Sequence, residues 1–299
     1  SLWLASFLIS RSIEKEFPPI GDFKQINGGK LHYLETGDVT KPAVIFIHGA
    51  GGNLRDQMTV YKPLLENDFR LVFPDRPGQG YSESYENSYD PKEQAKSIAL
   101  LMDELGIKKT IISGHSFGGV VASAFGVLYP EKTQGLILLA PVAYPWGTGV
   151  DWHYDVGNIP IVGWLFSHLI AVPAGSLIYP NAIKNVFAPN EMPVDYVETS
   201  GTKLALRPNT FHSNALDVAN VETHVIDFHP RYKEITAPTY IFHGDQDEIV
   251  SLPIHSENGL AKDVPGAKFE ILEGVGHKPD YIAKDKVIAA IQNIIDGEK

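Results

Sequence analysis

A serine between two glycines, at the junction of a predicted strand and a predicted helix, constrains this chain more than any other feature. The junction reads Gly114-His115-Ser116-Phe117-Gly118. The β-branched run at 110–112 is typical of a buried strand, and the apolar run at 120–129 is typical of a packed helix. So sharp a corner strains the serine backbone and requires glycine wherever a Cβ would collide. The pattern predicts a serine hydroxyl presented at a helix start, where backbone N–H groups can stabilise negative charge.

Strands and helices alternate on both sides of this junction. The apolar runs at 43–47 and 135–140 are nearly continuous, as expected of strands covered on both faces in a parallel sheet. The other predicted elements are an antiparallel hairpin at 23–27 and 30–35, helices at 54–65, 91–105, 251–260 and 280–295, and strands at 70–73, 239–242 and 268–272. This order predicts an α/β fold.

Residues 141–232 interrupt the alternation. They are rich in proline and tryptophan and contain apolar helical stretches, but no convincing parallel strand. We therefore predict a cap inserted over the carboxyl edge of the sheet, where open α/β sheets bind their ligands. The core would then comprise residues 17–140 and 233–299. Apolar cap side chains would line a pocket, although most of them would form the cap's own small core.

The N-terminal segment, residues 1–16, is treated separately. Residues 1–9 are apolar, and the cationic Arg11 and Lys15 follow them. Nine residues are too few to span a bilayer, which requires about 20 apolar positions. Two interpretations stay open. The segment is either the end of a membrane anchor with its cations at the interface, or an amphipathic helix docked on the domain.

Composition and charge exclude several classes of protein. A chain of 299 residues is long enough for one sizeable α/β domain with an insertion. The formal net charge of −11 argues against a nucleic-acid partner, because phosphate contacts require clustered lysine and arginine. The sequence has no cysteine, which excludes disulfides, cysteine-ligated zinc and a thiol nucleophile. The absence of cysteine does not fix the cellular compartment.

A second glycine-rich turn follows the predicted strand at 43–47 and reads His48-Gly49-Ala50-Gly51-Gly52. Glycines at this position let backbone N–H groups approach a ligand closely. We expect the N–H groups of Ala50 and Phe117 to form an oxyanion hole. The alternative is a tight exit from the strand that binds no ligand.

Taken together, these features resemble the α/β-hydrolase fold superfamily over essentially all of residues 23–295. The motifs that carry the resemblance are H-G-x-G at 48–51, the loop at 75–82, the glycine-flanked serine at 114–119, G-D-x-D at 244–247, and Gly276-His277. The resemblance implies a mostly parallel sheet flanked by helices, with an inserted helical cap. It also implies a catalytic triad of Ser116 as nucleophile, Asp247 as acid and His277 as base, with neither a cofactor nor a metal.

Elementary chemistry supports the same base. A serine hydroxyl is a poor nucleophile unless a base with a pKa near working pH takes its proton. His277 follows a predicted strand on a short glycine-bearing loop, which places it at the carboxyl edge of the sheet. His243, which ends a buried strand, and His115, within the serine junction, fit this role less well.

The acid that orients the base has two candidates, Asp245 and Asp247. The resemblance favours Asp247, because Ile249 and Val250 follow it in the family's pattern. A metal site formed by His243, Asp245 and Asp247 is not favoured, since alternate residues leaving a strand rarely converge without further ligands.

The expected activity is a cofactor-independent serine hydrolase that cleaves small carboxylic esters with an apolar part. Ser116 argues against haloalkane dehalogenases and epoxide hydrolases, which use a carboxylate nucleophile. Thioesterases, lactonases, carbon–carbon bond hydrolases, aminopeptidases and perhydrolases share the serine triad and stay open. So does a non-catalytic ligand receptor built on the same fold. The sequence does not predict the physiological substrate, the oligomeric state or the location in the cell.

Overall fold

The computed structural model describes residues 2–297. The chain begins with helix α1 (Leu2–Glu16) and continues into an antiparallel hairpin of β1 (Asp22–Ile26) and β2 (Gly29–Thr36). Asn27 and Gly28 form the hairpin turn with φ of 48° and 95°, because a two-residue turn of this twist needs positive φ at both positions.

Alternating strands and helices follow the hairpin. In chain order they are β3 (Ala43–Ile47), α2 (Leu54–Leu65), β4 (Arg70–Pro74), α3 (Pro91–Glu104), β5 (Thr110–His115), α4 (Phe117–Leu128) and β6 (Thr133–Leu139). The chain returns to the sheet with β7 (Thr239–Gly244), and then come a π-helical segment (Pro253–Leu260), α10 (Ala261–Asp263), β8 (Lys268–Leu272), α11 (Pro279–Ile282) and α12 (Lys284–Asp296).

The residues between β6 and β7 are called the insertion below. They form α5 (Trp152–Asn158), α6 (Val162–Phe166), a π-helical segment (Ser167–Ala171), α7 (Val172–Phe187), α8 (Tyr196–Thr199), a 3-10 segment (Thr202–Leu206), α9 (Pro208–Phe228) and a 3-10 segment (His229–Glu234). The insertion contains no strand. It also packs against α1, which contacts α7 and both neighbouring helical segments.

The eight strands form one sheet in the order β1-β2-β4-β3-β5-β6-β7-β8. The pairs β1–β2 and β2–β4 are antiparallel, and β3 to β8 pair in parallel through helical crossovers. This arrangement confirms the predicted α/β-hydrolase fold. Parallel pairing brings the carboxyl ends of β3, β5, β7 and β8 to the same edge, so the loops after them meet there.

Two apolar cores cover the two faces of the sheet. Successive residues of a strand point to opposite faces. Ile45 packs in a core with α3 and α4, whereas its neighbour Phe46 packs with α2 and α12. Both side chains are fully buried. The burial of neighbouring residues explains why the central strands are nearly continuous apolar runs in the sequence.

Candidate active site

The serine junction is a strained turn between β5 and α4. Ser116 has φ 54° and ψ −116°, a conformation that non-glycine residues rarely adopt. A Cβ on Gly114 would lie 2.2 Å from the carbonyl oxygen of Gly118, and a Cβ on Gly118 would lie 2.1 Å from that of Ile47. Both glycines are therefore required for the backbone to pack, as the sequence pattern indicated.

The three side chains expected to form the triad lie in hydrogen-bonding order at the carboxyl edge of the sheet. The Nε2 atom of His277 is 3.0 Å from Oγ of Ser116, and Nδ1 of His277 is 2.8 Å from Oδ2 of Asp247. If Nδ1–H donates to the carboxylate, Nε2 is free to accept the serine proton. This geometry is that of a nucleophile, its base and the group that orients the base.

Asp247 is held as a carboxylate by four donors. Its Oδ1 accepts hydrogen bonds from the backbone N–H groups of Ile249 and Val250, at 2.8 and 3.0 Å. Its Oδ2 lies 2.8 Å from His277 and 3.1 Å from His243. Burial raises the pKa of this carboxyl, but hydrogen bonds from His243 and His277 outweigh burial and hold the pKa well below its ordinary value.

His243 is a part of the site to which the sequence assigned no role. Its Nδ1 is 2.7 Å from the hydroxyl of Ser256, and its Nε2 is 3.0 Å from the carbonyl of Val250. If the Ser256 hydroxyl donates its hydrogen bond to Nδ1, the ring carries its own proton on Nε2. That Nε2–H is then shared between the carbonyl of Val250 and the carboxylate of Asp247. His243 thus contacts the same carboxylate oxygen as His277 and helps to fix it. Its position four residues before Asp247, at the end of a buried strand, was the available signal.

Asp245, the competing acid, lies elsewhere. Its Oδ1 accepts the backbone N–H of Gly274 at 2.7 Å, so it stabilises the turn after β8 instead of contacting His277. Since Asp245 turns away, His243, Asp245 and Asp247 do not converge on a common point.

The glycine-rich turn after β3 lies against the serine. A Cβ on Gly49 would be 3.1 Å from Cβ of Ser116. The carbonyl of Gly49 receives three donors: Gly52 N–H at 3.2 Å, His48 Nδ1 at 2.9 Å and Arg76 Nη2 at 3.0 Å. Because a trans peptide is planar, fixing this carbonyl directs the N–H of Ala50 the opposite way. Within residues 2–297, neither that N–H nor the one of Phe117 donates to another residue.

Arg76 supports this turn from within the protein. Its guanidinium is fully buried and bonds to the carbonyl of His48 at 3.0 Å and to Oδ2 of Asp217 at 2.7 Å. Burial, together with the charge of Arg76, lowers the pKa of His48 to about 4, so His48 stays neutral. The sequence placed Arg76 only in a glycine- and proline-rich turn, and no local pattern linked it to Asp217, 141 residues away in α9.

Two asparagines of the insertion hydrogen-bond to the backbone of the site. Asn214 on α9 accepts the N–H of Gly51 through Oδ1 at 2.7 Å. Asn190 accepts the N–H of Gly276 at 2.9 Å and donates to the carbonyl of Gly274 at 2.9 Å. One asparagine therefore braces the glycine-rich turn, and the other braces the loop that carries His277. Neither was identified from the sequence.

A buried charged cluster lies beneath the His277 loop. The ammonium of Lys278 is 2.9 Å from Oδ2 of Asp56 and 2.9 Å from Oδ2 of Asp280. Burial lowers the pKa of Lys278, but the two carboxylates outweigh burial and raise it. Asp56, His115 and Asp280 also bring potential metal-ligand atoms within 4.8 Å of one another. The lysine ammonium supplies positive charge to both carboxylates, so the cluster needs no metal ion for partial neutralisation.

Comparison with known proteins agrees with this architecture. A family model described as the alpha/beta hydrolase fold matches residues 42–279. Lipase 1 of Psychrobacter immobilis is 25% identical over 91% of this chain and 84% of its own length. A 2-hydroxy-6-oxo-6-phenylhexa-2,4-dienoate hydrolase of Burkholderia cepacia is 26% identical over 90% and 92%.

Solved structures also resemble the chain. An esterase from Thermogutta terrifontis superposes with a TM-score of 0.71 over 93% of this chain and 99% of its own, at 22% identity. A likeness at this identity establishes the shared fold alone.

Proposed function

This chain belongs to the α/β-hydrolase fold family, and from that premise we propose that it is a serine hydrolase that cleaves carboxylic esters through an acyl-enzyme. The observation that carries the proposal is the unbroken relay from Ser116 through His277 to Asp247, with 3.0 and 2.8 Å between the bonded atoms. Such a relay converts an unreactive alcohol into a nucleophile at neutral pH.

In the first half-reaction, Oγ of Ser116 attacks the ester carbonyl carbon while its proton passes to Nε2 of His277. Asp247 stabilises the imidazolium that forms. The N–H groups of Ala50 and Phe117 hold the oxyanion of the tetrahedral intermediate. His277 then returns its proton to the leaving alcohol oxygen, the carbon–oxygen bond breaks, and the acyl group stays on Ser116.

In the second half-reaction, water attacks the acyl carbonyl and His277 takes a proton from it. Collapse of the second tetrahedral intermediate breaks the bond to Oγ, which recovers the proton from His277. The carboxylic acid leaves and the starting state returns. No cofactor enters either step.

An uncharged ester is favoured over an anionic substrate. The two buried cations near the relay are both paired, Arg76 with Asp217 and Lys278 with Asp56 and Asp280. Recruiting either cation for a substrate carboxylate would leave a buried carboxylate without its partner, which is strongly unfavourable. This pairing supports a substrate that carries no carboxylate of its own.

Carbon–carbon bond hydrolysis is the second candidate. The relative from Burkholderia cepacia, at 26% identity, is named as a hydrolase of 2-hydroxy-6-oxo-6-phenylhexa-2,4-dienoate. The same serine, base and oxyanion donors would serve. The substrate named for that relative is a carboxylate, however, and the paired cations described above favour the ester.

The test combines labelling with turnover. A fluorescent organophosphonate should label Ser116, and short p-nitrophenyl esters should be hydrolysed. Ser116→Ala should abolish labelling and lower kcat on the order of 10⁶-fold. Labelling without turnover of esters, thioesters, lactones or a dienoate would identify a ligand receptor. Ordinary esterase turnover by Ser116→Ala would refute the mechanism.

A further inference from the structure

Many of the exposed apolar side chains belong to α1 and to the first half of the insertion. Together they are called the apolar face and comprise Leu2, Trp3, Phe7, Leu8, Trp152, Ile159, Ile161, Val162, Trp164, Leu165, Ile170, Leu177 and Ile178. These make up more than half of the exposed large apolar residues in the part of the chain that the structure describes. Soluble monomers rarely expose contiguous apolar patches larger than a few hundred Å².

Two cavities lie between α1 and the insertion, the two parts of the chain that carry the apolar face. A cavity of about 730 Å³ is lined by Trp3 and Phe7 on one side and by Trp164 on the other. A second, of about 420 Å³, lies between Ile9 of α1 and Ser176 of α7. The first helix therefore lies alongside the insertion, with Trp3 and Phe7 facing Trp164 across the first cavity.

The orientation of α1 is fixed by its carboxyl-terminal half. Glu14 pairs with Arg207 at 3.5 Å and Glu16 with Lys203 at 2.6 Å, while the buried Ile13 packs in a small core with Leu204. These contacts hold the helix on the insertion. In the amino-terminal half, Leu2, Trp3, Phe7 and Leu8 stay about half exposed, whereas Ser6 is buried.

Charge distinguishes this surface from the rest of the protein. Residues 2–13 and 156–190, which carry every residue of the apolar face except Trp152, contain no aspartate or glutamate, in a chain whose formal net charge is −11. Trp152 lies between Asp151 and Asp155. The arginine and lysine residues in these two ranges are Arg11 and Lys184. Exclusion of acids and retention of a few cations complement a surface of phosphate groups.

We propose that the apolar face docks on the surface of a phospholipid bilayer, with its aliphatic and aromatic side chains in the acyl boundary. Arg11 and Lys184 would lie near the lipid phosphates. Trp3, Trp152 and Trp164 suit this depth, because tryptophan is enriched at the membrane–water interface. The proposal does not depend on ester hydrolysis.

The face lies on the bilayer and does not cross it. One helical run, Val162–Phe187, is long and apolar enough to span a membrane by length and composition. Within that run, however, Val172 and Phe187 are fully buried, and Phe187 packs edge-on against Tyr281 of α11. Insertion across a bilayer would break these contacts, whereas docking parallel to the surface preserves them.

A second copy of the chain would suit the face less well. In a two-fold symmetric interface the same patch meets itself, so two chains of net charge −11 would approach each other without an acid on residues 156–190 to complement Lys184. Lipid phosphates supply the missing negative charge.

The experiment is co-sedimentation of the full chain, in a Ser116→Ala background that leaves the lipid intact. The vesicles contain phosphatidylcholine and phosphatidylglycerol. Leu177 and Ile178 are 83% and 66% exposed, so Leu177→Asn with Ile178→Asn should fold normally and lower the partition coefficient about tenfold or more. Val39→Asn with Leu64→Asn is the matched control, because these exposed residues lie near the amino ends of β3 and β4.

Circular dichroism and thermal melting check that all variants are folded. Independently, brominated lipids should quench tryptophan fluorescence in the chain without the asparagine substitutions. Absence of vesicle binding and of quenching would overturn the proposal. Equal losses of vesicle binding in the two double-asparagine variants would also overturn it. So would a dimer, seen by sedimentation velocity, that the Leu177 and Ile178 substitutions dissociate while no variant binds vesicles.

Discussion

The imidazole of His115 hydrogen-bonds to the backbone carbonyl of His277, with 2.7 Å between Nε2 and the oxygen. Burial, reinforced by the charge of Lys278, lowers the pKa of His115 well below its ordinary value, so the ring is neutral and Nε2–H is the donor. The residue immediately before Ser116, the proposed nucleophile, thus holds the loop that carries His277, the proposed base. The two reacting groups are positioned relative to each other by this one bond as well as by the fold.

Replacing His115 by leucine should impair catalysis without weakening substrate binding. The change leaves the His277 carbonyl buried without a donor and loosens the base, and small misplacements of catalytic groups cost up to about 10²-fold. We expect kcat for a short p-nitrophenyl ester to fall about 10- to 100-fold with KM unchanged. His115→Gln, which retains an N–H donor, should recover most of the rate. Equal losses in the two variants would contradict a positioning role.

Asp247→Asn should lower kcat on the order of 10⁴-fold, because a neutral amide neither fixes the His277 tautomer nor stabilises the imidazolium. Asp245→Asn provides the matched control. Its amide oxygen can still accept the Gly274 N–H that Asp245 accepts in the structure, so turnover should stay within about twofold of the unsubstituted chain. Steady-state kinetics of the two variants decide between the acids, and a larger loss at position 245 would reverse their assignment.

Lys278→Met should destabilise the fold. It leaves the buried carboxylates of Asp56 and Asp280 without the ammonium that lies 2.9 Å from each, and breaking such a pair costs about 3–5 kcal/mol. Urea unfolding followed by circular dichroism measures the loss. Lys284→Met, at an exposed position at the start of α12, should change the free energy of unfolding by less than about 0.5 kcal/mol. Similar midpoints for the two variants would show that the cluster contributes little.

Acid should destabilise the protein partly through His255. Its Nδ1 accepts the N–H groups of Ala143 and Tyr144 at 3.2 and 3.0 Å, and burial lowers its pKa from 6.5 to about 4. Between these two values the unfolded chain binds a proton that the folded chain does not, so stability falls as pH decreases from 6.5 towards 4. At pH 4, the end of that interval, His255 lowers the free energy of unfolding by about 3 kcal/mol.

His255→Asn tests this pH dependence, because an amide oxygen can accept the same N–H groups without titrating. Urea unfolding at pH 7, 6, 5 and about 4.5 should show a smaller acid-induced loss in the variant than in the unsubstituted chain. His48 is expected to contribute in the same direction, since its pKa is also lowered to about 4. Parallel curves for the variant and the unsubstituted chain would count against His255 as a source of acid sensitivity.

Local signals predicted much of this molecule. The fold followed from apolar runs of strand length, helical periodicity and glycine positions, because each depends on neighbours within about ten residues. The same reasoning selected Ser116 and His277, which lie at the ends of predicted parallel strands, because parallel strands bring those ends to one edge. It left Asp245 and Asp247 open, and the family resemblance favoured Asp247.

The supporting contacts could not be predicted in this way. Arg76 meets Asp217 141 residues later, and Gly51 meets Asn214 163 residues later. Each polar residue alone resembles many others on the surface, and only the path of the insertion selects its partner. The exposure of Leu177 and Ile178 was hidden for the same reason, since an apolar helix reads alike whether its side chains face a core or solvent.

The two hydrogen bonds of Asn190 would link any movement of the insertion to the geometry of the turn before His277. Asn190 belongs to the insertion, yet it hydrogen-bonds to the backbone of Gly274 and Gly276 in the turn before His277. If the insertion lifts far enough to admit a bulky ester, it pulls on that turn, and the base regains its alignment only when the insertion settles back. Selection for a wider opening between the insertion and the sheet would therefore have to act on position 190 as well.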